Sequence, residues 1–330
     1  MLKREELEKR ELIYLDSKAC KSQDSKGRQV YEEPCEFRTE FQRDRDRIIH
    51  SKAFRRLMHK TQVFISPEGD HYRTRLTHTI EVTQIARTIS RNMNLNEDLT
   101  EAIGLGHDLG HTPFGHNGEM VLSRIHEGGF RHNEQSLRVV DYLESTPSRK
   151  GMNLTYEVRN GILNHSGSMK ASTLEGQIVA ISDRIAYINH DIDDAIRSGV
   201  ISLEDLPKSS IELFGRGHGD RINCMVKNVV ETSEGQDCIM MDQTHREELD
   251  ILRNFMFKNV YRSSKVKKAE DIAEVEKIIT SLYDYFLQHP DRLPDDYGRL
   301  LAKDDKGVVV KDYIAGMTDR YAINLYHKLF

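Results

Sequence analysis

The stretch that most constrains this chain is residues 104–119, GLGHDLGHTPFGHNGE, which hold three histidines, an aspartate and a glutamate in sixteen positions. His107 and Asp108 are adjacent, His111 follows His107 by four, and His116 and Glu119 are three apart. An imidazole beside a carboxylate offers nitrogen and oxygen donors at one point on the backbone, a mixture that suits Mn, Fe, Zn or Ni. Five glycines and a proline interrupt the stretch. They predict a helix end that turns into a tight loop and brings His116 and Glu119 back toward the ion. The bland alternative is a histidine-rich surface loop, but such groups rarely cluster so densely without a site.

The surrounding chain reads as helical. Residues 1–36 form an N-terminal arm with one short charged helix. Residues 38–58 suit an amphipathic helix with a basic flank, and 60–72 (KTQVFISPEGDHY) are the best β-hairpin candidate. Thr77 is the expected N-cap of the next helix, in which His78, Val82, Ile85 and Ile89 fall on one buried stripe. Residues 97–110 form a helix that carries the His107-Asp108 pair near its end, and helix resumes over 118–126, after Gly128-Gly129 and over 155–164. In the long helix expected over 174–198, Ile178, Ile181, Ile185, Ile188 and Ile192 step by three and four. Asp183 sits among them, close to the apolar face, where a lone carboxylate is expensive and needs a partner. Further helices are expected over 220–232, 245–261, 270–288 and 311–328, with KVKK (265–268) an exposed turn. The expectation is an all-α fold with at most a small β-hairpin: an arm (1–36), a catalytic core (37–200) and a helical C-terminal extension packed on it (201–330).

His78, the pair His107-Asp108, and Asp183 lie in the order H…HD…D on three separate helices. Two imidazoles and two carboxylates leave positions open on a six-coordinate metal, which a hydrolytic site requires for water and a phosphate oxygen.

Composition excludes several classes. No apolar run approaches eighteen residues, and the N-terminus MLKREELEKREL is charged, so neither a membrane span nor a secretory signal is expected. Four cysteines without a CxxC pair read as free thiols in a reducing cytoplasm. A net charge of -5 argues against a generic nucleic-acid binder, although a basic groove across an oligomer would still take single-stranded nucleic acid.

The segments RDRDRIIHSKAFRRLMHKTQVF, RTRLTHTIEV, HDLGHTPFGHNGE, FRHNEQSLR, SDRIAYINHDIDDA and IAGMTDRYA resemble the deoxyguanosinetriphosphate triphosphohydrolase family of HD-domain metal-dependent phosphohydrolases, from about residue 36 to the C-terminus. The resemblance implies an HD-domain fold and cleavage of a dNTP, with dGTP the default, to deoxynucleoside and tripolyphosphate. It implies a divalent metal (Mn, Mg, Co, Fe or Ni) on His78, His107, Asp108 and Asp183. His116 and Glu119 match the family's proton-transfer pair. His111, His132, Arg75 and Arg184 match phosphate contacts, Tyr187 and Asp191 sugar contacts, and Gln62 a contact to the 3′-hydroxyl. A homo-oligomer is implied as well.

The residues agree with that chemistry. A triphosphate carries about four negative charges, so cations must hold it while charge shifts in P–O cleavage. Arg75, Arg184, Arg55, Arg56 and the metal supply them. One rival keeps the site and changes the substrate: an HD nucleotidase or phosphodiesterase acting on another phosphorylated nucleotide. Another keeps only the fold, as a nucleotide sensor or single-strand binder, but such a protein needs neither the ligand set nor the His116–Glu119 pair.

Overall fold

The computed structural model describes residues 2–62, 73–261 and 269–330. Among the described residues the chain is helical with no strand, as expected for an all-α fold, and extended pairings are isolated bridges such as Thr61 with Thr74. Of the hairpin candidate over 60–72, residues 63–72 lie outside the described residues, as does the KVKK turn over 265–268.

Helix α1 (Arg4–Tyr14) opens the N-terminal arm. The arm is sewn to the core, since Arg28 bridges Glu40 and Asp44 and the Tyr156 amide donates to the Gly27 carbonyl at 2.9 Å. Helices α2 (Glu40–Ile49) and α3 (Lys52–Arg56) replace the single helix expected over 38–58. Ser51 makes the break, because its hydroxyl accepts the Phe54 amide at 3.0 Å and caps a new helix.

Helix α4 (Arg75–Asn92) is capped by Thr74 rather than Thr77. The two threonines form a reciprocal capping box, with hydrogen bonds of 3.0 and 3.4 Å, and the first of them is the cap. Helix α5 (Glu97–Gly106) starts at Asn96 and crosses α4 closely at Gly104, where a Cβ would lie 2.7 Å from the Thr83 hydroxyl. It stops at Gly106, before the expected residue 110, and a tight turn leads into α6 (Gly115–Ile125). Helices α7 (His132–Arg138), α8 (Tyr156–Asn164) and α9 (Leu174–Arg197) complete the layer around the turn.

Helix α9 is the spine. Thr173 caps it by accepting the Gly176 amide at 3.1 Å, and Ile178, Ile185, Ile188 and Ile192 are fully buried against α4, α5 and α8. Each such side chain contributes roughly 1.5–3 kcal/mol. Helix α10 (Lys208–Phe214), not anticipated from sequence, joins α11 (His218–Ser233) and α12 (Gln243–Met256) on the same apolar cluster.

A second apolar cluster gathers α13 (Ala269–Gln288), the short α14 (Asp295–Gly298), α15 (Lys306–Ala315) and α16 (Asp319–Leu329) around Phe114, Val121 and Leu122 at the start of α6. The single helix expected over 311–328 is split at 316–318, where Thr318 caps α16 by accepting the Tyr321 amide at 3.3 Å. The residues just after the His-Asp turn thus form part of the C-terminal core.

Glu175, on the first turn of α9, is fully buried and accepts the amides of Cys20 (3.0 Å) and Asn96 (3.1 Å). Burial pushes its carboxyl up from 4.5 to about 7. The folded chain therefore keeps a proton that the unfolded chain releases, and the resulting stability is lost as pH rises from about 4.5 through about 7. Glu175→Gln, neutral throughout, should remove this slope. Urea unfolding of both proteins from pH 5 to 8 should show the wild type losing on the order of 2–3 kcal/mol relative to the variant.

Candidate active site

The turn after α5 is set by hydrogen bonds that leave little freedom to its side chains. His107, at the helix end, donates from Nδ1 to the Gly104 carbonyl at 2.6 Å. That bond fixes the tautomer and turns Nε2 inward as an acceptor. The Ser136 hydroxyl stitches the turn from behind, donating to the His107 carbonyl (2.7 Å) and accepting the Gly110 amide (2.9 Å). Phe114 closes it in the left-handed region at φ 62°, a conformation that costs a bulky residue of order 1–3 kcal/mol and must be held by its surroundings.

Around His107 the expected ligands converge. Its Nε2 is 3.4 Å from Asp108 Oδ1 and 3.9 Å from Asp183 Oδ1. His78 Nε2 lies 3.1 Å from the same Asp183 oxygen. Donor atoms of His78, His107 and Asp108 lie within 4.8 Å of one another, as do those of His107, His165 and Asp183. His107 Nε2 is buried with no hydrogen-bond partner among the described residues, which is how a nitrogen kept for an ion looks. The set fits a divalent metal in both donor type and spacing.

Burial by itself drives the Asp108 and Asp183 carboxyls up, but the facing imidazole and guanidinium groups outweigh it and hold both well below the usual carboxylate range. For Asp108 the opposing groups are His111, with its Nε2 3.2 Å from Oδ1, His107, and Arg75, whose Nη1 donates to Asp108 Oδ2 at 3.0 Å. For Asp183 they are His78 and His107.

Beside this cluster runs a chain of imidazoles. His165 donates from Nδ1 to the Ile162 carbonyl at 2.7 Å, so its Nε2 is an acceptor. His132 approaches that atom with its own Nε2 at 3.2 Å and meets Glu119 Oε1 with Nδ1 at 3.0 Å. With an acceptor facing each ring nitrogen, and the Ser166 hydroxyl 3.4 Å from Nε2, the surroundings favour the cationic ring. Consistently, burial would lower His132, but the Glu119 carboxylate outweighs it and raises the group. Burial likewise favours protonated Glu119, and the bond and charge of His132 reverse that. His111 stacks on His132 with centroids 4.1 Å apart and has its Nε2 3.2 Å from Asp108 Oδ1. Burial and the Arg75 charge lower His111 to about 3, so it is the neutral member of the stack.

The remaining expected residues are placed as follows. His116 is exposed on the first turn of α6, one turn before Glu119, while the Glu119 carboxylate grips His132 through both its ring and its amide (2.9 Å). Asp191 accepts the Tyr261 hydroxyl on Oδ2, has Oδ1 buried with no partner among the described residues, and is pushed by burial up to about 7. Gln62 Oε1 and Arg75 Nε are also buried with no hydrogen-bond partner among the described residues. Tyr187 is half-buried and Arg184 exposed, both on α9 with Asp183. His165 and Tyr261 were not among the expected site residues. The one signal for His165 was its place after α8, where a ring nitrogen can take a helix-end carbonyl.

Comparison with known proteins now decides the family. The HD domain family matches residues 75–188, and the phosphohydrolase-associated domain family matches 239–328. A deoxyguanosinetriphosphate triphosphohydrolase-like protein of Caldanaerobacter subterraneus subsp. tengcongensis is 58% identical, covering 99% of this chain and 95% of its own. Proteins of the same name from Desulfatibacillum aliphaticivorans and Clostridium tetani are 49% and 46% identical over 99% of this chain and 97% and 96% of theirs. The chain belongs to the deoxyguanosinetriphosphate triphosphohydrolase-like family. It is an HD-domain phosphohydrolase, and the cluster around His107 is its candidate metal site. As in sequence, no helix among the described residues of this HD-domain chain is long and apolar enough to cross a membrane.

Asp183→Ala removes one of two carboxylates from the cluster and leaves the imidazole chain intact. Titration calorimetry with Mn or Co should show affinity at least about 100-fold weaker, since loss of a residue merely supporting a ligand costs about 10–100-fold. Binding at wild-type affinity would remove Asp183 from the ligand set.

Proposed function

We propose that this HD-domain phosphohydrolase cleaves deoxynucleoside triphosphates, dGTP first among them, to deoxynucleoside and tripolyphosphate. The carrying observation is contiguity. Asp108 Oδ1 faces both His107 in the ligand cluster and His111, which stacks on the His132 cation. Groups suited to a metal and groups suited to a polyphosphate thus share one carboxylate. The names of the relatives support the substrate class.

A divalent metal on His78, His107, Asp108 and Asp183 would supply Lewis-acid charge and lower the pKa of a bound water. The chain's own residues do the rest. His132, held cationic between Glu119 and His165, is a fixed positive charge for phosphate oxygens, and being already oriented it needs no rearrangement as charge shifts. Arg75, pinned to Asp108 through Nη1, keeps its Nε for a phosphate. Arg184, exposed beside Asp183, adds a second guanidinium. Neutral His111 contacts phosphate without adding like-charge repulsion to His132. His116 and Glu119 share a face of α6 and form the proposed proton-transfer pair, a role that typically contributes about 10²–10⁴-fold.

The sugar lies toward α9 in this reading. Tyr187 packs under the deoxyribose where a 2′-hydroxyl would collide. Asp191, raised to about 7 and paired with Tyr261, and Gln62 take sugar hydroxyls.

Anion-exchange analysis of products from each of the four dNTPs, with Mg, Mn or Co, should show tripolyphosphate, and His116→Ala should bind metal but lose about 10²–10⁴-fold in kcat. Orthophosphate or pyrophosphate as the released species would instead favour the nucleotidase or phosphodiesterase reading. Separately, Tyr187→Ala should narrow the gap between kcat/KM for dGTP and GTP, and an unchanged ratio would remove Tyr187 from sugar selection.

A further inference from the structure

The segment IAGMTDRYA near the C-terminus takes no part in the chemistry above, yet its backbone and side chains reach the catalytic turn directly. Asp319, first residue of α16, accepts the Phe114 amide on Oδ1 at 2.9 Å. Its Oδ2 accepts both the amide (2.9 Å) and the hydroxyl (2.8 Å) of Thr61. Lys60 is 2% exposed, and its ammonium donates to the Ala315 carbonyl at 2.9 Å and to the His111 carbonyl. Gly115 lies against the same stretch of chain: a Cβ there would sit 2.7 Å from the Gln62 carbonyl and 3.2 Å from that of Thr61.

Three features of the turn, at His111, Phe114 and Gly115, are therefore held from outside it. The His111 carbonyl is tied through Lys60 to the end of α15. The Phe114 amide is tied through Asp319 to the start of α16. Gly115 is wedged on the 60–62 segment that Asp319 also grips. Phe114 is the residue in the left-handed conformation, so its amide is fixed where the turn is most strained. Its ring is 4% exposed in the same cluster as Ala315 and Met317, which adds apolar contact to the polar clamp. His111 and His116 lie within this braced stretch, and both have roles in the proposed reaction.

We infer that Asp319 and Lys60 are positioning residues, through which the 315–319 turn of the C-terminal region sets the geometry of the catalytic segment 107–116. The inference deepens the proposed function by adding a C-terminal part to that site, and it rests on that reading for its kinetic consequence. It does not rest on it for its structural consequence. Asp319→Asn keeps the shape and turns one acceptor into a donor facing an N–H. Lys60→Met keeps the stem and leaves two carbonyls without their ammonium.

The test uses the full chain and both variants. Hydrogen exchange read by mass spectrometry should show peptides covering 109–118 exchanging at least about tenfold faster, with peptides of α9 unchanged, since local opening need not follow global stability. Melting temperature should stay within about 4 °C of wild type. Mn stoichiometry should be unchanged. On dNTP substrates kcat should fall by about 100-fold with KM little altered, the scale expected of a misplaced catalytic group. Unchanged exchange over 109–118, or faster exchange spread over every helix together with a large fall in melting temperature, would overturn the inference. If the wild-type protein releases no tripolyphosphate, the proposed function fails while the exchange comparison still decides the brace.

Discussion

Two carboxylates, Asp108 and Asp183, lie inside a helical interior that would reject either of them alone. The effective penalty for burying a charge is several kcal/mol per ion, repaid only by close opposite charge and hydrogen bonds. Here the compensation comes from the Arg75 guanidinium and the His111 ring on Asp108 and from the His78 ring on Asp183. Much of the architecture follows from placing those groups. Helix α4 delivers Arg75 and His78, α5 ends at His107, and α9 carries Asp183 among isoleucines that cannot be moved without opening the core. A divalent cation suits the same arrangement, because it supplies positive charge at His107 Nε2, which is buried with no hydrogen-bond partner among the described residues.

The imidazole chain shows how a backbone carbonyl controls charge at a distance. The Ile162 carbonyl chooses the tautomer of His165, which makes His165 an acceptor, which favours His132 protonated on both nitrogens. Glu119 completes the chain by answering that charge. A neutral ring stacked on a cationic one, His111 on His132, keeps two imidazoles together at 4.1 Å without doubling the positive charge. The result is a preset electrostatic environment beside the ligand cluster, the kind of arrangement that acts on developing charge without reorganising.

Much of this was legible in the residues. The all-α class followed from isoleucine spacing on α9 and from the stripe that begins at His78. Gathering of the ligands followed from placing His78, His107-Asp108 and Asp183 on separate amphipathic helices. Boundaries were less legible where two residues compete for one job. Thr74 and Thr77 both suit a cap, and the geometry of the reciprocal bond selected Thr74. Ser51 broke a helix that its neighbours would have continued. Helix α10 was hidden by its shortness, since seven residues carry too few turns for a periodic signal.

Sequence by itself placed His78, His107, Asp108 and Asp183 near one another, because each sits on or beside an element whose apolar face packs inward, while His165 joined them only in the fold. It also determined the family, through segments spread over most of the chain. Tertiary structure alone decided the partners within the gathering. That Glu119 grips His132, that His165 sets the charge of His132, and that Asp319 reaches back to Phe114 across 205 positions are facts of packing. No local pattern encodes them, because hydrogen bonds between distant segments depend on where whole helices come to rest.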